Sequence, residues 1–305
     1  LQDWKTKKGV PAKIVNIDFV KENYPGRDDA EKLRNFIKDA YSNWGSVWFL
    51  LGGQGDYEWE ECFIPRRDVH YIHLYMPLYY PDQETIPSDM YYACLDGDWD
   101  FDGDGVFGEK EDSVDLFADV YVGRAPCKSV ADVETFVNKV LQYEKSPPAG
   151  YIQNILLPAS LLFPGYNWWG DTVNNAIADI VPAGWNKCKL YESYGNLTRS
   201  AVIESLNSGM HFVHYALHGG PGSVGGADGT VYLCLPDIDT LRNGYKLSIQ
   251  TAISCFTGAL DEVWWDDHDC FAEHFLTNQL NGGVASIMNS RFGWGSGVEM
   301  YYSED

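Results

Sequence analysis

Short apolar runs that end in glycine or a polar turn alternate with amphipathic stretches along almost the whole of this chain. That alternation constrains the fold most strongly, because strand–helix–strand repeats build a mostly parallel α/β sheet. Strand signals fall at residues 12–18, 46–51, 152–157, 188–191, 211–217, 247–254 and 283–288. Between them lie helix signals. Ala30, Leu33, Phe36, Ile37 and Ala40 have helical spacing within 28–44, and Val130 to Leu141 repeat it until Pro147-Pro148 stops the helix. Further helices are expected near 171–180, at 198–207 with Gly209 as cap, and at 267–279. The run Pro147-Pro148-Ala149-Gly150 is the best internal boundary. It separates an N-terminal α/β part, residues 1–147, from a C-terminal part, 148–305. Strand signals continue on both sides, so a two-part sheet and a single sheet with an insertion both satisfy the pattern.

Two strand signals end in reactive side chains. Tyr215-Ala-Leu-His218 runs into Gly219-Gly220, and Thr251-Ala-Ile-Ser-Cys255 runs through Phe256 into Thr257-Gly258. If the two strands lie side by side and parallel, His218 and Cys255 emerge together at the carboxyl edge, where open α/β sheets carry their chemistry. Either residue alone is most simply a core or surface group. Together, each followed by glycine, they are the minimum kit of a thiol hydrolase. Gly219 and Gly220 let the backbone approach a substrate carbonyl, with N–H groups available to an oxyanion.

Asp100-Phe-Asp102-Gly-Asp104-Gly105-Val106-Phe-Gly-Glu-Lys-Glu111 follows the spacing of an EF-hand calcium loop. Carboxylates stand at positions 1, 3 and 5, glycine at 6 and a bidentate glutamate at 12, while Val106 at position 7 offers its carbonyl. No flanking helices are evident, so a structural calcium ion is expected here, not a paired sensor. Asp96, Asp98, Asp112 and Asp115 crowd the same segment, and so many carboxylates repel one another without a cation.

The 44 acidic against 22 basic residues give a net charge of −22. That charge excludes nucleic acid as a natural partner and suits a solvated extracellular protein or one acting on basic substrates. No stretch approaches the length of a membrane span. The opening Leu1-Gln-Asp-Trp-Lys-Thr-Lys-Lys is polar and helix-like, unlike a signal peptide, and suggests a mature or excised piece. Cysteines 62, 94, 127, 188, 234, 255 and 270 form no metal pattern. Setting Cys255 aside leaves six, which permits up to three disulfides without implying them.

The chain resembles the catalytic domain of the gingipain family of cysteine peptidases. The resemblance rests on Asp3-Trp-Lys-Thr-Lys-Lys-Gly9, Ile37 to Gly45 leading into Phe49-Leu-Leu-Gly-Gly53, Ser88-Asp89, and Val120-Tyr-Val-Gly-Arg124. It continues through the His218-Gly219 and Ser254-Cys255 segments, Cys270-Phe-Ala-Glu273 and Gly282-Gly-Val-Ala-Ser286, in family order over nearly the whole length. It implies a caspase-like α/β fold, a mostly parallel sheet with helices on both faces. It further implies Cys255 as nucleophile, His218 as general base and acid, and the Gly219 and Cys255 amides as oxyanion donors. Matching the arginine-specific members places Asp171 at the floor of the pocket for the residue before the scissile bond, with Trp294 along its wall. A carboxylate beside an aromatic wall suits a basic side chain. Asp171 equally suits the start of a helix, where acids are favoured.

The chain departs from the family pattern in two ways. Where some members carry a glutamate that orients the histidine, this chain has Leu161-Leu162, so a backbone carbonyl is left to position His218 and the pair acts as a dyad. The family also extends beyond both ends, which implies a partner chain or propeptide from processing, or a partial chain. The expected function is therefore a secreted, calcium-stabilised cysteine endopeptidase cutting proteins or peptides after Arg or Lys. The alternatives are a non-catalytic calcium-binding surface or assembly module on the same scaffold, and a peptidase-like acyl transferase.

Overall fold

A computed structural model describes residues 1–55, 63–70, 85–112, 114–261, 269–278 and 281–293. The chain forms two compact units, Leu1–Lys128 and Ser129–Asp305. The boundary expected at 147/148 therefore falls inside the second unit. The helix that precedes it, Val130–Lys145, is tied there by Lys139 Nζ donating to the Phe275 carbonyl (2.8 Å) and by Tyr143 Oη against His211 Nε2 (2.6 Å).

The first unit contains α1 (Gln2–Lys7), α2 (Ile17–Asn23), α3 (Asp29–Trp44), β1 (Trp48–Gly52), β2 (Asp68–His70), β3 (Thr85–Pro87), α4 (Met90–Ala93) and β4 (Tyr121–Ala125). Helix α3 forms where its apolar spacing predicts. Asp28 caps it by accepting the Glu31 N–H at 2.9 Å, and Gly45 ends it in the left-handed region at φ 69°. Its buried face is Ala30, Leu33, Phe36, Ile37 and Ala40, packed with Leu51, Tyr91, Tyr92 and Trp99. Strands β1 and β4 pair in parallel from Trp48↔Tyr121 to Gly52↔Ala125. Only Leu51 of β1 is buried; Trp48 stacks on Tyr121 at 4.2 Å on the open face. The strand expected at 12–18 is not formed. Asn16 instead accepts the Asp18 N–H at 2.9 Å and starts α2, which turns Val20 into the core. Alternation of apolar residues over a few positions does not distinguish a short strand from a capped helix start.

The second unit contains α5 (Val130–Lys145), β5 (Asn154–Ala159), β6 (Leu161–Phe163), β7 (Trp168–Trp169), α6 (Asp171–Ile180), β8 (Asn186–Tyr191), α7 (Arg199–Ser208) and β9 (Phe212–Tyr215). After these come β10 (His218–Gly220), β11 (Ser223–Gly225), β12 (Val231–Cys234), α8 (Leu235–Asp239), β13 (Ser248–Ala252), α9 (Phe271–Thr277) and β14 (Gly283–Ile287). The central sheet has the order β14-β13-β9-β5-β8, and every pairing in it is parallel. One face packs Ile155, Leu157, Ala159 and Ala216 against Val173 and Ala178 of α6. The other packs Leu156, Val213, Tyr215 and Ala252 against Val202 and Leu206 of α7 and Phe271 and Phe275 of α9. Helices on both faces are thus observed, as the strand–helix alternation requires.

The chain lays down β5, adds β8 on one side, then crosses to add β9, β13 and β14 on the other. The order reverses between β5 and β9, and ligand crevices in open α/β sheets lie outside the carboxyl ends at such a switch point. The three-stranded β10-β11-β12 sheet that continues from β9 is antiparallel and was not apparent from the sequence. Its strands are three or four residues long and rich in glycine, too short to show periodicity.

Candidate active site

The register of β9 with β13 aligns Phe212 with Ile249 and Tyr215 with Ala252. The chain continues three residues past that last pair on each side, to His218 at the start of β10 and to Cys255. Both reactive residues thus follow paired strand ends at the carboxyl edge by the same number of residues. The backbones beyond are in close approach. A Cβ on Gly219 would lie 2.7 Å from Ser254 Cβ and 2.9 Å from the Cys255 carbonyl oxygen. Only glycine allows the histidine segment to lie against the cysteine turn.

That turn is held from several sides. Phe256 adopts φ 57°, a left-handed conformation that costs a non-glycine residue roughly 1–2 kcal/mol. Its N–H donates to the Arg291 carbonyl at 2.7 Å, and the Gly258 N–H donates to Asn289 at 2.8 Å. The Arg291 guanidinium is in turn gripped by both Asp261 oxygens, at 2.9 and 2.7 Å. At the start of α9 the Ala272 N–H donates to the Thr257 carbonyl (2.9 Å) and the Phe271 N–H to the Pro221 carbonyl (2.6 Å). One helix end therefore ties the cysteine turn to the loop after the histidine. Cys255 is a half-buried free thiol. Burial pushes it above the usual thiol range, and the Gly293 N–H donated to Sγ at 3.4 Å pulls the other way.

His218 Nε2 lies 2.9 Å from the Leu162 carbonyl oxygen. A carbonyl can only accept, so Nε2 carries the proton and the lone pair of the neutral ring is on Nδ1. The support comes from the extension of β5: Ala159 bridges Ala216, the Ser160 N–H donates to Ala216 at 3.1 Å, and Leu162 follows two residues on. The Leu161-Leu162 segment thus offers the histidine a main-chain acceptor.

Asp171 is the first residue of α6, half-buried, and its Oδ2 accepts the Ser193 hydroxyl at 2.6 Å. The preceding Gly170 packs on the same sheet edge, since a Cβ there would lie 2.4 Å from the Ala216 carbonyl oxygen. Asp171 is therefore a helix-starting acid whose neighbour Gly170 packs against the segment leading to His218, and whose carboxylate meets the turn after β8. Trp294 lies outside the described residues. Ser193, Glu192 and Arg291 carry no sequence motif, and their contacts exist only through the tertiary fold.

In the first unit, carboxylate oxygens of Asp100, Asp102 and Asp104 come within 4.8 Å of one another. Gly105 donates to Asp100 Oδ1 at 3.0 Å, Val106 to Asp104 at 2.7 Å and Asp104 to Asp102 at 3.2 Å. Gly103 and Gly105 take φ 76° and 87°, the sharp turn that position 6 demands. Asp100 is buried and its second oxygen meets Arg27 at 2.6 Å. Glu111 is exposed in a short 3-10 turn and is not one of the three clustered carboxylates. Asp112 organises the loop instead, accepting N–H groups from Gly108 (2.9 Å) and Glu109 (3.2 Å). Glu109 is held above the usual carboxylate range by desolvation and by the charges of Asp104, Glu111, Asp102 and Asp112.

Compared with known proteins, residues 1–304 match the model of peptidase family C25. A Lys-gingipain of Porphyromonas gingivalis is 25% identical over 223 residues, which cover 72% of this chain and 11% of that protein. The chain thus spans about a tenth of the length of that relative. The crystal structure of the Arg specific cysteine proteinase gingipain R superposes with a TM-score of 0.67 at 20% identity, covering 95% of this chain and 58% of that one. The complex of Porphyromonas gingivalis RgpB pro- and mature domains gives 0.66 at 19% identity, with 95% and 60% covered. At these identities the two structures speak to the fold, which they share with this chain.

Proposed function

The chain belongs to peptidase family C25, and on that footing we propose that it is a cysteine endopeptidase that cuts after basic residues. The observation that carries the reading is that His218 and Cys255 each follow the end of a paired parallel strand by three residues, closed by the approach of Gly219 to the cysteine turn. In the proposed cycle His218 Nδ1 takes the Cys255 proton and the thiolate attacks the peptide carbonyl carbon. The Gly219 and Cys255 amides hold the oxyanion while the Leu162 carbonyl keeps the imidazolium in place. As the C–N bond breaks, Nδ1–H passes its proton to the leaving amine. Water, deprotonated by the same nitrogen, then cleaves the thioester and the thiol leaves protonated.

Asp171 is the proposed partner of the basic side chain. Support comes from its place beside Gly170, which packs on the sheet edge, and from relatives named for lysine and arginine specificity. The donor set of Asp100, Asp102 and Asp104, with Val106 and Glu111, is the proposed site of a structural calcium ion. Crowded hard oxygens with a backbone-organised turn fit such an ion. An extracellular setting, with a propeptide as partner chain, completes the reading and suits the net charge of −22. Among the described residues no helix is long and apolar enough to cross a membrane.

Cys255→Ala should lower cleavage of lysyl and arginyl peptides at least about ten-thousand-fold, and a lysyl or arginyl chloromethylketone should add mass only at Cys255. Retained cleavage in the variant would overturn the assignment. Asp171→Asn should raise KM for basic substrates far more than it lowers kcat; an unchanged preference removes Asp171 from the pocket.

A further inference from the structure

We propose that the short turn after β8 is the positioning element of the site, with Glu192 and Ser193 acting on its two halves at once. The inference rests on the roles proposed for His218 and Asp171. Residues 192–194 form a single 3-10 turn closed by Gly195 in the left-handed region at φ 70°. Glu192 Oε2 accepts the Leu161 N–H at 2.9 Å. The next residue, Leu162, gives its carbonyl to His218 Nε2 at 2.9 Å. Ser193 Oγ donates to Asp171 Oδ2 at 2.6 Å. Consecutive side chains of one turn therefore hold the segment that orients the base and the carboxylate that faces the basic side chain.

The chemistry differs on the two sides. Among the described residues the hydrogen-bond partner of the imidazole is the Leu162 carbonyl, so the orientation of His218 depends on where the Leu161-Leu162 segment lies. Glu192 fixes that segment by a charge-assisted hydrogen bond, which is short and roughly twice as strong as a neutral one. Ser193 occupies one lone pair of Asp171 and fixes the carboxylate plane, so its other oxygen is presented in one direction. A carboxylate free to rotate pays for its ordering when a cation binds. Glu192 should therefore act on the chemical step and Ser193 on the binding of the basic residue. Neither is a catalytic residue, because each acts through another group.

The test is a kcat against KM split on the full chain with lysyl and arginyl peptide substrates. Glu192→Ala should lower kcat about tenfold or more with KM within about threefold, and move the acid limb of the kcat/KM pH profile, because one lost charge-assisted bond is worth about that factor. Glu192→Gln keeps an acceptor for the Leu161 N–H and should recover most of the loss. Ser193→Ala should raise KM about fivefold to tenfold with kcat nearly unchanged. Ser193→Thr restores the hydroxyl and should reverse it, and the effect should vanish in an Asp171→Asn background. Equal kcat, KM and pH profile in both alanine variants would overturn the proposal, as would losses that the Gln and Thr variants fail to recover. If His218→Ala is itself fully active, the failure belongs to the underlying site assignment.

Discussion

The acidic loop of the first unit and the sheet edge of the second gather reactive groups in opposite ways. The loop draws Asp100, Asp102 and Asp104 together within five residues, through bonds to its own backbone such as Gly105 to Asp100 and Val106 to Asp104. The edge assembles Leu162, Asp171, Ser193, His218, Cys255 and Gly293 from a large part of the unit, and its precision is inherited from strand register. A local device is written in spacing and tolerates variation in the surrounding fold. A device assembled by topology is written in packing, and small volumes decide it.

Of the changes that bear on this contrast, the largest effect tests the dependence on packing. Gly219→Ala places a methyl group 2.7 Å from Ser254 Cβ, so the histidine segment must move off the cysteine turn. Activity should fall about 100-fold, since a displacement of about 1 Å is worth that much in a positioned site. The proposed response of the first unit to calcium should be unaffected. A fully active variant would show that the two loops are less closely fitted than their register implies.

Next comes removal of calcium, which should act locally. Chelation should lower the melting transition of the first unit by about 10 °C if the ion is held at about a hundredfold above its dissociation constant. Asp102→Asn should abolish the response to added calcium. A melting curve indifferent to chelator and to calcium would mean that Arg27 and the backbone donors alone hold the loop together.

The smallest effect contrasts the charges of the two units, exposed anions in one and a buried cation in the other. Lys139 is 1% exposed, its Nζ donates to the Phe275 carbonyl at 2.8 Å, and burial pushes its pKa down to about 7. The unfolded chain keeps Lys139 protonated up to about pH 10.4. Between those values the unfolded state binds the extra proton, so this group makes stability rise with pH from about 7 to 10, by at most a few kcal/mol. Relative to Lys139→Met, the wild type should gain stability over that window in denaturant titrations. A constant difference between the two proteins would show that the ammonium finds solvation the packing does not reveal.

How much was legible follows the same division. The α3 apolar stripe, the calcium-like spacing and the two strand signals that lead to His218 and Cys255 were all present as local pattern. The helix boundaries at Thr198 and Gly209 were also readable, because a cap is a sequence-local event. The 12–18 segment misled because Asn16 offers a side-chain cap that alternation does not register. The unit boundary misled because Pro147-Pro148 ends a helix, whereas Lys139 and Tyr143 bind that helix to elements far along the chain. Ser193, Glu192 and the Arg291–Asp261 pair had no signature at all, since an isolated serine or ion pair acquires meaning only from its neighbours.

The main-chain support of His218 has a consequence for how this site can change. A carbonyl is common to every amino acid, so no single substitution at Leu162 deletes the acceptor, and a conventional alanine scan would pass over it without a trace. What can be lost is the path of the chain that presents it. The orientation of the imidazole is in this sense inherited from the backbone, insulated from substitution at Leu162 itself but exposed to insertion or deletion after β5 and to changes, such as Glu192→Ala, that release the segment.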